Sequence, residues 1–346
     1  MKHFVYIKDL LGVKTNADKF GWIYGSVAPR VSESEFEKCK IKINLHISKT
    51  ADVFDKWLRI EEYDRYNYFF AKANEKKIYY DRKFIFNSRI RYSIEIRGND
   101  ITVIVNKNYF KYIKYRFMNL HSLGYILSDL TSGLLLENGY ATLHCSAVNI
   151  GERSLAIFAP PGTGKTLTAI KLCENADAKF ISEDIGVTDG EYIHSVPWTS
   201  TFRYYNHEKE SKLDRFMDLL YKNIPILELL SMEDQKSIKT YLTNNSFADV
   251  SKITDVIILG KGERKVIEGK DGFIESILNL NKYEFNYHRS PMMLVMNYFN
   301  PDFSIDNMYE WEKYILSSLI KKTNCYRIYA QNPIDYHKEI IEKVLR

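Results

Sequence analysis

Eight residues at 159–166, with the sequence APPGTGKT, have the types and spacing that bind a phosphate chain. They match the phosphate-loop pattern G-x-x-x-x-G-K-[ST], except that Ala159 stands at the first glycine position. The two glycines can take positive φ and turn backbone N–H groups inward, and a following helix would add its partial positive charge. Lys165 would then reach the β- and γ-phosphates, and the Thr166 hydroxyl would bind Mg²⁺. The sequence therefore predicts binding of ATP and Mg²⁺ by Gly162, Thr163, Gly164, Lys165 and Thr166.

Two adjacent acids, Glu183 and Asp184, follow a short strand-like run at 179–182. If this run is a strand parallel to 154–159, both strands end on the same edge of a sheet, where α/β proteins bind ligands. One carboxylate could hold Mg²⁺ while the other accepts a proton from an acceptor hydroxyl. An adjacent acidic pair is more often a solvated turn, but its position one strand beyond a phosphate loop favours a catalytic role.

His144 lies in a strand-like run at 141–149, just upstream of the phosphate loop. A period of two places His144 and Ser146 on one face and Cys145 on the other. Cys145 and His144 are therefore not a thiol–imidazole pair. A single histidine in a strand is usually structural, so the case for His144 depends on what surrounds it.

These segments together resemble the HPr kinase/phosphorylase and phosphoenolpyruvate carboxykinase-like superfamily, particularly its HPr-kinase-related serine kinases. The likeness is carried by LHCSAV at 143–148, the phosphate loop with its lysine, and SED at 182–184. It covers 118–200 well and extends thinly to about 300. It implies a phosphoenolpyruvate carboxykinase-like kinase core that transfers a phosphoryl group from ATP to a serine-type hydroxyl, with Mg²⁺.

The same resemblance implies roles for three side chains. His144 would lie near the γ-phosphate, Glu183 would accept the proton, and Asp184 would lie near Mg²⁺. Family members often have Asp where this chain has Glu183, so the division of roles between the two acids stays open. The N-terminal half has no match to HPr kinase itself, which favours a peptide, another protein or a small-molecule hydroxyl as the acceptor.

Other functions fit the sequence less well. A nucleotide-sensing regulatory protein is the main alternative, but a sensor needs no proton acceptor. An ABC-type ATPase would need an LSGGQ segment and an acid after a strand, whereas Asp255 precedes the apolar run 256–259. Arg203 and Arg289 are candidates for neutralising charge on the transferring group, with an ordinary surface role at least as good an account of each.

Composition limits the partners and the compartment. The 49 Lys and Arg exceed the 44 Asp and Glu by only five, too few to indicate a nucleic-acid binder. The aromatic, lysine-containing run 109–115 could stack on bases, but Tyr and Lys are over-used along the whole chain. No apolar run long enough for a membrane is present. Widely spaced cysteines without a CxxC indicate reduced thiols in a cytoplasmic protein, and a homo-oligomer is compatible with the sequence; the cysteines are Cys39, Cys145, Cys173 and Cys325.

Hydrophobic periodicity predicts a mixed α/β (α+β) fold in three parts. Alternation at 40–47, 92–96 and 101–105 predicts an antiparallel, β-rich module over 1–115 that could recognise the acceptor. A helix over 117–136 would open a kinase domain at 116–300, with an amphipathic stretch at 213–230. A helical region starting near Trp311 would fill most of 301–346.

Within the kinase domain, short runs predict a specific order of elements. The runs 141–149 and 154–159 form a hairpin about Gly151, and the second leads through the phosphate loop into a helix. A strand at 179–182 precedes the acidic pair, and a hairpin with Asp189 and Gly190 at its turn follows.

Overall fold

A computed structural model describes residues 1–25, 28–50, 54, 63–114, 120–198, 247–285 and 287–346. The fold is mixed α/β, with three sheets and several helices in this part of the chain. The predicted stretch 213–230 and Arg203 lie outside the described residues.

The N-terminal part contains nine strands and two short helices within the described residues. They are β1 Lys2–Ile7, β2 Leu11–Thr15, β3 Arg30–Val31, α1 Glu33–Glu37, β4 Ile41–Ser48, β5 Asp64–Tyr66, β6 Phe69–Ala71, β7 Lys77–Lys83, β8 Arg89–Arg97, β9 Asp100–Asn106 and α2 Lys107–Tyr112. The strands form one sheet in the order β3-β1-β2-β4-β9-β8-β7-β6-β5.

The predicted strands at 40–47, 92–96 and 101–105 are present, and the last two pair antiparallel, but the sheet is mixed rather than wholly antiparallel as predicted. Strand β4 pairs in parallel with both β2 and β9. Parallel neighbours need a longer connection than a tight turn, and α1 with β3 supplies it between β2 and β4. Alternation shows which side chains are buried but not the direction of the partner strand.

The rest of the described chain forms two further sheets and the larger helices. The elements are α3 Leu123–Glu137, β10 Ala141–His144, β11 Ser146–Ile150, β12 Arg153–Phe158, α4 Lys165–Asn175, β13 Lys179–Ser182, β14 Ile185–Thr188, β15 Tyr192–His194, β16 Val250–Lys252, β17 Asp255–Lys261, β18 Lys265–Glu268, α5 Phe273–Glu284, α6 Pro291–Phe299, α7 Ile305–Lys322, β19 Asn324–Ala330 and α8 Tyr336–Glu339. Short 3₁₀ segments lie at Tyr287–Arg289 and Pro333–Asp335.

A six-stranded sheet in the order β13-β11-β12-β17-β19-β18 carries the phosphate-loop segment. Strands β12, β17 and β19 are parallel, and β11 is antiparallel to both β12 and β13. Strand β13 therefore runs in the same direction as β12. Their carboxyl ends, which lead to the phosphate loop and to the acidic pair, open on the same edge of the sheet, as predicted.

Helices cover both faces of this sheet. On one face, α4 and α8 pack through Leu172 and Tyr336 against strand residues such as Ile257. On the other face, α5 and α7 pack through Ile277 and Leu316. Each strand contributes alternate side chains to the two apolar clusters, which is typical of a sheet buried on both faces.

The predicted strand at 141–149 is divided at Cys145 into two strands in different sheets. Strand β10 pairs with β14 in a four-stranded sheet ordered β10-β14-β15-β16, whereas β11 belongs to the six-stranded sheet. The sequence pattern could not show the division, because Leu143, Cys145 and Ala147 all face the same apolar cluster. The division places His144 at the end of β10, beside the phosphate loop.

The C-terminal region predicted to be helical also contains a strand. Helix α7 begins at Ile305, before the predicted start near Trp311. Strand β19 then enters the six-stranded sheet between β17 and β18. Its parallel partner β17 lies far away in the sequence, so its pairing depends on tertiary contacts that local periodicity does not report. The region 301–346 is therefore built into the sheet that carries the phosphate loop.

Helix α3 connects the N-terminal sheet to the rest of the protein. It begins at Leu123 rather than at 117, and residues 115–119, where the predicted boundary falls, lie outside the described part. Its buried Leu127 and Leu130 belong to one apolar cluster with Ile43 of the nine-stranded sheet and Met296 of α6. In the described residues, none of the helices is both long and apolar enough to cross a membrane.

Substitution of Asp255 would test whether the edge of the six-stranded sheet opposite the phosphate loop contributes to stability and not to nucleotide binding. It is fully buried at the start of β17, and Arg153 Nε donates to its Oδ2 at 2.9 Å. Asp255→Ala is expected to lower the free energy of unfolding by about 3 kcal/mol, the low end for a broken buried ion pair, since Arg153 keeps about 30% exposure. Urea denaturation would measure this loss. Any binding of ATP at 159–166 should be unchanged in a calorimetric titration, because Asp255 lies at the opposite edge of the sheet.

Candidate active site

The phosphate-loop segment connects the end of β12 to the start of α4. Its backbone has positive φ at Gly162 (+71°) and Gly164 (+115°), and the Thr163 N–H donates to the Pro160 carbonyl at 3.2 Å. Ala159 is fully buried at the end of the strand. The methyl group of alanine is tolerated in place of glycine there, because the positive φ angles that the turn needs are supplied by Gly162 and Gly164.

The two glycines provide a matched pair of substitutions. A Cβ at Gly164 would lie 2.8 Å from Pro333 Cβ, whereas a Cβ at Gly162 would meet nothing within 4 Å. Gly162→Ala should therefore cost only the left-handed backbone penalty, about 1–2 kcal/mol of unfolding free energy. Gly164→Ala should cost about 1–3 kcal/mol more because of the clash. Chemical denaturation would compare them, and equal losses would contradict the close approach of Pro333.

Three of the predicted side chains converge at the end of the loop. Lys165 Nζ is in hydrogen-bond contact with His144 Nε2 and donates to the Ala159 carbonyl at 3.3 Å. Asp184 Oδ1 lies 3.6 Å from both Lys165 Nζ and His144 Nε2. Lys165 and His144 are almost entirely buried, while about 20% of the Asp184 side chain is exposed. The cluster is therefore open to solvent through Asp184.

Burial changes the acid–base behaviour of this cluster. It lowers the pKa of Lys165 from its usual value, and the nearby Asp184 carboxylate opposes that change. Burial also raises the pKa of Cys145 to about 12, so its thiol stays protonated at neutral pH and is not a nucleophile.

The two acids of the predicted pair occupy different environments. Asp184 faces Lys165 and His144, whereas Glu183 is fully buried and its backbone carbonyl accepts a hydrogen bond from Ser146 Oγ. A general base must come within hydrogen-bond reach of the acceptor hydroxyl. The proton-accepting role of Glu183 stays a prediction, and it would need a path from the acceptor hydroxyl to this buried carboxylate. Adjacent residues at the end of a strand point to opposite sides, and here Asp184 points into the site.

Glu284 is a site residue that the sequence did not indicate. It is the last residue of α5, and its Oε2 lies 3.5 Å from His144 Nδ1. The contact with His144 is the main cause that lowers the pKa of Glu284, and the charge on Lys165 acts in the same direction. His144, Asp184 and Glu284 each offer one atom that could ligate a metal ion, and these three atoms lie within 4.8 Å of one another. No local motif marks Glu284, because it lies 140 residues after His144 in the sequence and reaches the site only through the packing of α5.

The remaining candidates lie as follows. Thr166 is buried in the first turn of α4, next to Lys165. Arg289 is exposed in the 3₁₀ segment Tyr287–Arg289, and within the described chain it has no ion pair with an acid of the cluster.

Comparisons with known proteins give only a distant likeness. No protein-family model and no curated protein matches the chain. Among solved structures, it is similar to the Hpr(Ser) kinase/phosphatase from Coxiella burnetii, with 9% sequence identity and a TM-score of 0.24, over 43% of this chain and 94% of that chain. So distant a likeness says nothing about activity.

Proposed function

We propose that this protein is a kinase that uses ATP and Mg²⁺ to transfer the γ-phosphoryl group to a hydroxyl acceptor. The observation that carries the proposal is the contact of Lys165, at the start of the helix after the phosphate loop, with His144 and Asp184. Phosphoryl transfer depends mainly on positioning and on neutralising charge at the phosphates. Lys165 supplies a buried ammonium that can neutralise charge on the phosphates. Asp184 supplies a partly exposed carboxylate that can contact the acceptor hydroxyl.

The oxygen atoms near the loop fit a magnesium ion. Thr166 contributes a hydroxyl from the first turn of α4, and Asp184 contributes a carboxylate; Mg²⁺ prefers such oxygen ligands together with phosphates and water. When bound, the ion would neutralise charge on the β- and γ-phosphates. Lys165 would add a second positive charge from within the protein.

In this proposal Asp184, rather than Glu183, contacts and orients the acceptor hydroxyl. Its carboxylate is the one of the adjacent pair that faces Lys165 and keeps contact with solvent, so an acceptor hydroxyl can approach it. Glu183 has no such access. In a loose transition state the proton leaves late, so the principal demand on Asp184 is orientation of the hydroxyl rather than strong basicity.

The direct test is mass spectrometry of candidate acceptors after incubation with ATP and Mg²⁺. Serine-containing peptides, proteins and small hydroxyl compounds should be presented separately, and the expected result is a gain of one phosphate in one class. Lys165→Met protein is the control for contaminating kinases. ATP binding without ADP formation in the presence of every class would contradict the proposal and support nucleotide sensing instead.

A further inference from the structure

Helix α5 places two polar side chains against His144. Asn281 and Glu284 are three residues apart and so lie on the same face of the helix. Asn281 Oδ1 accepts a hydrogen bond from the His144 backbone N–H at 3.0 Å, and Glu284 Oε2 lies 3.5 Å from the ring nitrogen Nδ1. One helix thus contacts both the backbone and the ring of His144.

The orientation of Asn281 is determined by its other partners. Its Nδ2 donates to the Thr142 carbonyl at 3.0 Å and to Glu312 Oε1 at 2.8 Å. Tyr287 holds the second Glu312 oxygen through a hydrogen bond of 2.8 Å. Because a carbonyl only accepts and a backbone N–H only donates, the amide oxygen must face His144. This buried network fixes the end of β10 relative to α5.

The groups facing the imidazole ring determine where its proton lies. Nδ1 is buried and faces the Glu284 carboxylate, which only accepts hydrogen bonds when ionised. Nε2 faces the Lys165 ammonium, which only donates, and Asp184 lies further from Nε2 than Lys165 does. Both neighbours therefore favour a proton on Nδ1 and a lone pair on Nε2.

We propose that Glu284 is a positioning residue that holds His144 with its proton on Nδ1, so that Nε2 accepts a hydrogen bond from Lys165. His144 then acts through Lys165: it holds the ammonium at the end of the phosphate loop and does not itself donate to a phosphate oxygen. This inference rests on the proposed function only for its effect on turnover. The tautomer is a property of the protein without nucleotide.

The test is long-range ¹H–¹⁵N correlation NMR of protein labelled with ¹⁵N-histidine, in the presence of a chelator. His144→Gln identifies the His144 signals among the eight histidines. We expect a protonated Nδ1 and an unprotonated Nε2 in the unaltered protein, and a shift towards a mixture of tautomers in Glu284→Ala. Glu275→Ala, which removes an exposed acid from the first turn of the same helix, should leave the spectrum unchanged.

A protonated Nε2 in the unaltered protein would overturn the inference, and so would an unchanged tautomer in Glu284→Ala. If the unaltered protein transfers phosphate, Glu284→Ala should lower kcat by on the order of 10- to 100-fold, with the KM for ATP little changed. The expected tautomers without any turnover would refute the kinase proposal alone. Turnover with the opposite tautomer would refute the role of Glu284 alone. The tautomer of the unaltered protein tests the inference even where Glu284→Ala does not fold.

Discussion

Lys165→Met is expected to reduce phosphoryl transfer by on the order of 10²–10³-fold, the usual effect of removing one group that stabilises transition-state charge. Methionine has a similar length but no charge, so it fills the buried space without neutralising the phosphates. Measurement of ADP release under saturating ATP and Mg²⁺ would show the loss. The free energy of unfolding should change little, because burying an ammonium offsets much of what its contacts contribute.

A second lysine on the same helix is the matched control. Lys171 Nζ lies 2.7 Å from Glu174 Oε2, six residues beyond Lys165 and away from the loop. Lys171→Met should therefore leave turnover within about twofold, since an exposed pair of this kind contributes less than about 1 kcal/mol. Equal turnover in folded Lys165→Met and Lys171→Met proteins would remove the phosphate loop from the mechanism.

Asp184→Asn is expected to lower kcat by on the order of 10²–10⁴-fold, because the change removes the carboxylate that would orient the acceptor hydroxyl and hold Mg²⁺. Asparagine keeps the shape of the side chain but removes the negative charge that faces Lys165 and would bind Mg²⁺. Nucleotide binding should weaken as well, and raising the Mg²⁺ concentration should restore part of it. Steady-state kinetics at several Mg²⁺ concentrations would separate the two effects.

Glu183→Gln is the comparison that separates the adjacent acids. Because Glu183 is fully buried, this change should affect the free energy of unfolding more than the metal dependence of turnover. Urea denaturation and the same Mg²⁺ series would measure both. A metal-dependent defect in Glu183→Gln together with near-normal turnover in Asp184→Asn would show that the roles are exchanged.

Local sequence was sufficient for the segment from β12 to α4. Its strand is a short, mostly apolar run, its loop needs positive φ at Gly162 and Gly164, and its helix begins at Lys165 where the glycines end. Each of these preferences involves residues only a few positions apart. The strand at 179–182 and the hairpin after it were also predicted correctly, because short runs with turn residues between them describe such hairpins directly.

Contacts between distant segments decided the rest. The amino-acid types at 183 and 184 identify an acidic pair, but only the packing of β13 shows that Asp184 faces Lys165 while Glu183 is buried. Glu284 enters the site because α5 packs across the end of β10, and the sequence around it carries no sign of that. The sequence by itself determined which chemical groups are present and the local turn that could bind phosphate. The tertiary structure decided which of those groups meet, because the contacts of Lys165 with His144 and of His144 with Glu284 arise only when separate strands and helices pack together.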